Sequence, residues 1–229
     1  MKIKILGTRA KVEETAPYHS KHSGVLVDDQ ILFDLGEREY LDYNPKCIFI
    51  THLHPDHAFF VTQEIVEDSD IPIYAPETSD RLRSIQKMPK TVKLDSYSIT
   101  SIPTHHSLKV ESMAYLIEKE SHRVLYTGDL IWINKEYHKE LQGLDLVLTD
   151  GSFIRDKGLI RRDQETGQLY GHNGIPNLIK LFTGLTEHIV FIHFGTWFYK
   201  DIQKSRKKIE ELGNNLKVEA AYDGRTLNL

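Results

Sequence analysis

The chain has 229 residues, 40% of them hydrophobic and 27% charged, and a formal net charge of −4. That suits one globular domain spanning 1–229 with a buried core, and it leaves no global basic footprint for nucleic acid. No apolar run approaches the ~20 residues of a membrane helix, and a single cysteine, Cys47, excludes an intrachain disulfide.

The opening "MKIKILGTRA" has an apolar stretch too short for a signal peptide. It reads as a first strand, Lys2–Leu6, and a cytoplasmic location is expected. Strands at Gly24–Val27 and Ile31–Asp34 flank "VDDQ", a hairpin pattern. Cys47–Thr51 is a further strand, in which Cys47 reads as a small buried residue rather than a ligand. A helix is expected over Asp56–Glu67, a strand at Ile71–Ala75 and a helix over Ser79–Lys87. Strands Ser98–Pro103, Met113–Glu118 and Arg123–Thr127 follow, then a helix Asn134–Gln142 and a strand Asp145–Thr149. The next helix, Ile175–Leu185, has Pro176 in its first turn, where a missing N–H costs nothing. Strand His188–His193 precedes the clearest helix, Asp201–Leu212. There Ile202, Ile209 and Leu212 share one face and Gly213 supplies the stop. A last strand pair lies in Lys217–Leu229. Short apolar runs alternating with helical stretches are α/β behaviour, without repeat or linker.

Five polar sites sit just beyond strand C-termini. His52 follows "CIFIT", and His105 and His106 follow "SITSIPT". Asp129 follows "RVLYTG", Asp150 follows "LDLVLT" and His193 closes "HIVFI". In open α/β sheets that edge is where ligands bind.

The stretch "THLHPDH" places His52, His54, Asp56 and His57 within six positions. His52 and His54 are two apart in an extended segment, so they point the same way. Pro55 then turns the chain, and Asp56 and His57 can reach a second point in space. Asp56 can also cap the following helix. Imidazole nitrogen and carboxylate oxygen suit Zn2+, and also Mn2+ or Fe2+.

"HLHPDH" resembles the signature of the metallo-β-lactamase-fold hydrolases. "PTHHS", "YTGD" and "FIHFG" follow in the order of that family, with "FDLG" before them and "AYDG" after. The resemblance implies a four-layer αββα sandwich of two mixed sheets flanked by helices. It also implies two divalent metal ions, with Zn2+ favoured. His52, His54 and one of His105 and His106 would bind the first. His106 is preferred because a small hydroxyl residue, Ser107, follows it. Asp56, His57 and His193 would bind the second, and Asp129 would bridge the two. His105 would then stand behind the ligands or meet the substrate. Asp34 of "FDLG" is a turn residue or an acceptor orienting a ligand histidine. Asp28 is not carried over as a ligand. His19 and His22 are expected as exposed loop histidines, and His122, His138 and His188 as structural.

A metal lowers the pKa of bound water from 15.7 to about 7, so the chemistry is expected to be hydrolysis of an ester-like bond by a metal-bound hydroxide. "TDGSF" and "GHNGIP" resemble motifs of the family's phosphodiesterase branch, which includes RNase Z and the phosphoribosyl cyclic phosphodiesterases. In that light His172 is a general acid or phosphate donor and Asp150 holds its ring. Backbone N–H groups over Asn173–Ile175 are expected to bind phosphate as well. Arg155, Lys157, Arg161 or Arg162 would draw phosphate into the cleft. Trp197, Phe198 and Tyr199 either wall the cleft or belong to the core.

Two departures separate the chain from RNase Z. Asp150 and Ser152 stand where Glu and Thr are usual, and Asn173–Gly174 follows the histidine in place of Ser-Thr. There is also no Gly/Pro-rich insertion to serve as a tRNA-binding arm. A small or nucleotide-like phosphodiester is therefore expected over RNA. No membrane partner is expected, and a homodimer stays open. The alternatives are a thioester or lactone hydrolase of the same fold, a tRNA 3′-end-processing endonuclease, or last a non-catalytic nucleic-acid-binding module.

Overall fold

The computed structural model describes residues 1–62 and 70–229. Its strands are β1 (Lys2–Gly7), β2 (Gly24–Val27), β3 (Ile31–Phe33), β4 (Cys47–Phe49), β5 (Ile73–Ala75), β6 (Ile85–Lys87), β7 (Thr91–Leu94), β8 (Tyr97–His105) and β9 (Met113–Lys119). They continue with β10 (His122–Tyr126), β11 (Trp132–Ile133), β12 (Leu146–Asp150), β13 (Leu159–Arg162), β14 (Leu169–His172), β15 (His188–Ile192), β16 (Lys217–Ala220) and β17 (Thr226–Asn228). The α-helices are α1 (Ile175–Phe182), α2 (Thr196–Tyr199) and α3 (Ile202–Glu211). No helix among the described residues is long and apolar enough to cross a membrane.

Two sheets form. The first runs β17-β1-β2-β3-β4-β5-β6. The second runs β11-β8-β9-β10-β12-β15-β16, with β7 paired to β8. Both are mixed: β3, β4, β5 and β6 pair in parallel, as do β10, β12, β15 and β16. The hairpin β13–β14 stands apart.

The alternation of side chains decides how the sheets stack. In β10, β12 and β15, Val124, Tyr126, Leu146, Leu148, Val190 and Ile192 face one way and meet Val25, Val27, Ile31, Phe33 and Phe49 of the first sheet. Leu125, Val147, Ile189 and Phe191 face the other way, toward the helices. Strands buried on both faces read as unbroken apolar runs, as these do. In α1, Ile175, Leu178, Ile179 and Phe182 recur at helical spacing and cover this outer face. In α3 the Asp201 side chain accepts from the Lys204 backbone N–H, capping the helix, and Ile209 is buried. On the outer face of the first sheet, Leu26, Leu32 and Ile48 pack against Tyr40 and Phe60, carried on short 3-10 turns at Arg38–Tyr43 and Phe59–Thr62.

The "VDDQ" hairpin is present, and Asp28 and Asp29 both have positive φ, as a tight hairpin turn requires. Three helical expectations need revision. Ser79–Lys87 holds no helix: a Ser79–Leu82 bridge leads into β6, which pairs with β5. Leu82 and Ile85 are three apart, which suits a helix, but pairing at the sheet edge overrides that local signal. Asn134–Gln142 reduces to a 3-10 turn at Lys135–Tyr137, and the Arg123 guanidinium donates to the carbonyls of Glu140 and Gln142. Of Asp56–Glu67, the part over 63–67 lies outside the described residues, and Phe59–Thr62 is 3-10.

Candidate metal centre

Strand ends assemble the site. His52 and His54 leave β4, and a tight turn follows in which the His57 and Ala58 N–H groups both donate to the His54 carbonyl. His106 follows β8, Asp129 follows β10, Asp150 ends β12 and His193 follows β15. Asp129 is reached through Gly128, at φ +58°, where a Cβ would lie 2.5 Å from the Thr51 hydroxyl oxygen. Asp34 and His193 also sit at φ +58°, a left-handed conformation uncommon for side chains of this kind.

Nine side chains converge here. His52 Nε2 and His106 Nε2 lie 3.0 and 3.2 Å from His54 Nδ1, and 3.5 and 3.4 Å from Asp129 Oδ2. His57 Nε2 and His193 Nδ1 lie 3.2 and 3.0 Å from Asp129 Oδ1, and Asp56 Oδ2 is 3.0 Å from His193 Nε2. Three overlapping groups have the spacing of metal donors: His52, His54, His106 and Asp129; Asp56, His57 and His193; and Asp129, Asp150, His172 and His193. Asp129 faces both histidine groups. Its Oδ1 is buried and has no hydrogen-bond partner among the described residues. A buried carboxylate oxygen without a donor, ringed by imidazole nitrogens, fits a divalent cation.

Protonation is set by burial and by the carboxylates. Burial lowers the pKa of His52 and His54, and that of His106 to about 4, so these rings are neutral donors. Burial opposes charge on His57 and His193 too, but Asp129 with Asp34 outweighs it at His57, which is held well above the ordinary value. At His193, Asp129, Asp150 and Asp56 raise the pKa to about 10. These two rings therefore carry protons that metal binding would release.

Asp34 supports the site from within the core. Its Oδ2 is 2.6 Å from His57 Nδ1 and accepts from the Tyr126 and Thr51 hydroxyls, while Oδ1 accepts from the Thr51 N–H. Of its two readings, the orienting acceptor is what the structure places here. Ser152 holds His193 in a similar way, with Oγ 3.0 Å from Nδ1. Tyr126 and Ser152 lie in the "YTGD" and "TDGSF" stretches, but nothing in the sequence pointed to these orienting contacts.

A family model described as Beta-lactamase superfamily domain matches residues 41–194, well over half of the chain. The chain belongs to the beta-lactamase superfamily. As a member of that superfamily it is a hydrolase with the metallo-β-lactamase fold. No curated protein matches it significantly in sequence. Among solved structures it is similar to the metallo-beta-lactamase fold protein YhfI from Bacillus subtilis, with a TM-score of 0.71 and 17% identity over 99% of this chain and 98% of the other. It is also similar to a diphosphatase of the PhnP family, with a TM-score of 0.68 and 15% identity over 100% of this chain and 97% of the other. A third likeness is to the short form of human tRNase Z, with a TM-score of 0.65 and 17% identity over 100% and 99%.

In this beta-lactamase superfamily domain His172 and Asp150 stand beside the metal donors. His172 Nδ1 is 2.7 Å from Asp150 Oδ2, which leaves Nε2 for the cleft. Burial works against charge on this ring, but Asp150 and then Asp129 outweigh it and raise its pKa. His105 lies outside the cluster, stacked on Trp132 at 4.5 Å and 2.9 Å from the Asn134 side-chain oxygen.

Other residues correct the sequence reading. The N–H groups of Asn173, Gly174 and Ile175 are all engaged, by the Leu130 carbonyl, the Asn173 side chain and the Phe153 carbonyl, so none is free for phosphate. The start of α1 is docked on its neighbours rather than open to the cleft. His19 is 3% exposed, not an exposed loop residue, and His22 pairs with Glu37 at 2.9 Å. Of the basic residues, Arg161 lines the cleft beside His54, His106 and His172. Arg155 lies over the Phe153 ring, and Arg162 donates to the Gly167 carbonyl. Trp197 lines the cleft, while Phe198 is core.

Proposed function

We propose that this hydrolase is a dinuclear metal phosphodiesterase acting on a small or nucleotide-like phosphodiester. The observation that carries this is the His172–Asp150 pair, beside the metal donors but lining the cleft, with Nε2 unbonded among the described residues. Such a pair can protonate a basic departing oxygen, as cleavage of an alkyl phosphodiester requires. The PhnP-family diphosphatase and tRNase Z among the similar folds are consistent with phosphorus as the reacting centre.

His52, His54 and His106 would hold one ion, Asp56, His57 and His193 the other, and Asp129 would serve both. Zn2+ suits this nitrogen-rich set, with Mn2+ or Fe2+ as alternatives. When bound, the ions supply Lewis acidity, acidifying water and offsetting charge on the phosphate oxygens. Asp56 lines the cleft, where its carboxylate orients the attacking water. His172 donates a proton from Nε2 to the departing oxygen, and Asp150 keeps Nδ1 protonated and the ring in place. Arg161 attracts the anionic substrate.

The test is hydrolysis of bis-p-nitrophenyl phosphate by protein loaded with Zn2+ or Mn2+, abolished in Asp56→Ala. Turnover of a thioester or lactone with no diester hydrolysis would assign the site to carbon instead.

A further inference from the structure

The cleft has two arms that meet at the metal centre. One, of about 240 Å³, is bordered by Arg161, Tyr170 and Ser107. The other, of about 350 Å³, shares Asp56, Asp129, His172 and His193 with the metal centre, and its remaining wall is largely apolar: Ala10, Val12, Phe153, Leu159 and Trp197. Lys11 stands exposed at its rim.

Trp197 is fixed in place without being core. Its indole N–H donates to the Gly151 carbonyl at 3.1 Å, and its ring meets Phe198 edge-on at 5.6 Å. Phe198 is the fully buried partner, stacked on Phe194 at 3.9 Å. The indole remains half-buried against the cleft. The wall formed by Ala10 and Val12 is also held. Arg9 donates to the Val12 carbonyl at 2.7 Å and to the Ser20 carbonyl at 2.8 Å, and the Ala10 N–H donates to Phe194 O at 3.1 Å. An apolar pocket with both walls braced before binding loses little on ordering, so burial of a flat ring there shows directly in affinity.

We propose that this arm is the subsite for an aromatic substituent of the substrate, with Trp197 as its specificity-determining wall. The substrate class narrows to unsymmetrical phosphodiesters with one flat apolar group, the other group lying toward Arg161. This rests on the phosphodiesterase reading.

Phenylphosphonate and methylphosphonate differ only in the group that would fill the arm. Burying the larger group corresponds to an affinity gain of about tenfold or more. Calorimetric titration of the metal-loaded full chain is expected to show that preference for phenylphosphonate. Trp197→Ala should erase the ratio and Trp197→Phe should keep most of it. Val12→Asp, a change in the part of the wall formed by the N-terminal loop, should erase it while keeping the indole. Equal binding of the two phosphonates by the unmodified chain overturns the proposal, as does a ratio that survives both Trp197→Ala and Val12→Asp. Assaying bis-p-nitrophenyl phosphate in parallel separates the two ideas. Phenyl preference without diester turnover supports the subsite and removes the phosphodiesterase reading, whereas turnover without preference removes the subsite alone.

Discussion

Asp34 and Asp150 perform related tasks on different rings. Asp34 takes His57 Nδ1 at 2.6 Å and so directs Nε2 toward Asp129. Orienting partners of this kind set metal affinity. Asp34→Asn is expected to weaken binding of the second ion by about 10–100-fold, read by competition with a chromophoric chelator. Unchanged affinity would mean that the tight turn alone orients His57. Asp150 takes His172 at 2.7 Å, and there the proposed consequence is catalytic. A general acid contributes about 10²–10⁴-fold, and most where the leaving oxygen is basic. His172→Ala should therefore slow a diester with an alkyl leaving group by about 10²-fold or more, but a p-nitrophenyl diester far less. Metal content should stay at two equivalents. Equal slowing of both substrates would place His172 outside the proton transfer.

At the scale of elements, the hairpin β13–β14 ties His172 to the candidate metal donors. Gly171 donates its N–H to the His106 carbonyl at 2.7 Å, and His106 Nδ1 returns a bond to the Gly171 carbonyl at 2.9 Å. Gly171 has φ +116°, and a Cβ there would sit 1.9 Å from the Leu159 carbonyl oxygen. Gly171→Ala must shift the hairpin, and displacement of a reacting group by about 1 Å costs up to about 10²-fold in rate. The expected result is a kcat loss of tenfold or more with a small change in unfolding midpoint, because the hairpin lies outside both sheets. Full activity would show that the hairpin tolerates the shift. This hairpin was not legible in the sequence, and the reason is physical. Its burial is partial, so it has no apolar run to announce it. The central strands were legible because both faces are buried. The cluster at "HLHPDH" was legible because six adjacent positions hold four candidate donors, which the structure brings together with later ones. Tyr126 was not, because it meets Asp34 across 92 residues of chain only after the two sheets stack.

The whole molecule depends on how its two halves are joined near the site, and His19 lies at that joint. Its ring packs edge-on to Phe194 and Phe198 at 5.8 and 4.9 Å, and its Nδ1 is 2.9 Å from the Thr8 hydroxyl. Thr8 donates in turn to Asp223, which also accepts the Ser20 and Lys21 N–H groups. The end of β1, the "AYDG" turn and α2 thus meet on one histidine. Burial lowers its pKa from 6.5 to about 4, against the opposing pull of Asp223. Below pH 6.5 the unfolded chain binds a proton that the folded chain refuses, so stability falls as pH drops from 6.5 toward 4. The contribution is complete above pH 6.5. At pH 5 its loss amounts to roughly 1–2 kcal/mol, allowing for water near the ring. The carboxylates and histidines of the candidate metal centre titrate as well, so metal-free protein and a difference measurement are needed. His19→Gln retains a polar partner for Thr8 but cannot titrate. Between pH 7 and pH 5, urea unfolding should cost the unmodified chain about 1–2 kcal/mol more than the variant. Parallel losses in the two proteins would show that His19 is protonated in the folded state at pH 5, and that acid sensitivity arises at the metal donors instead.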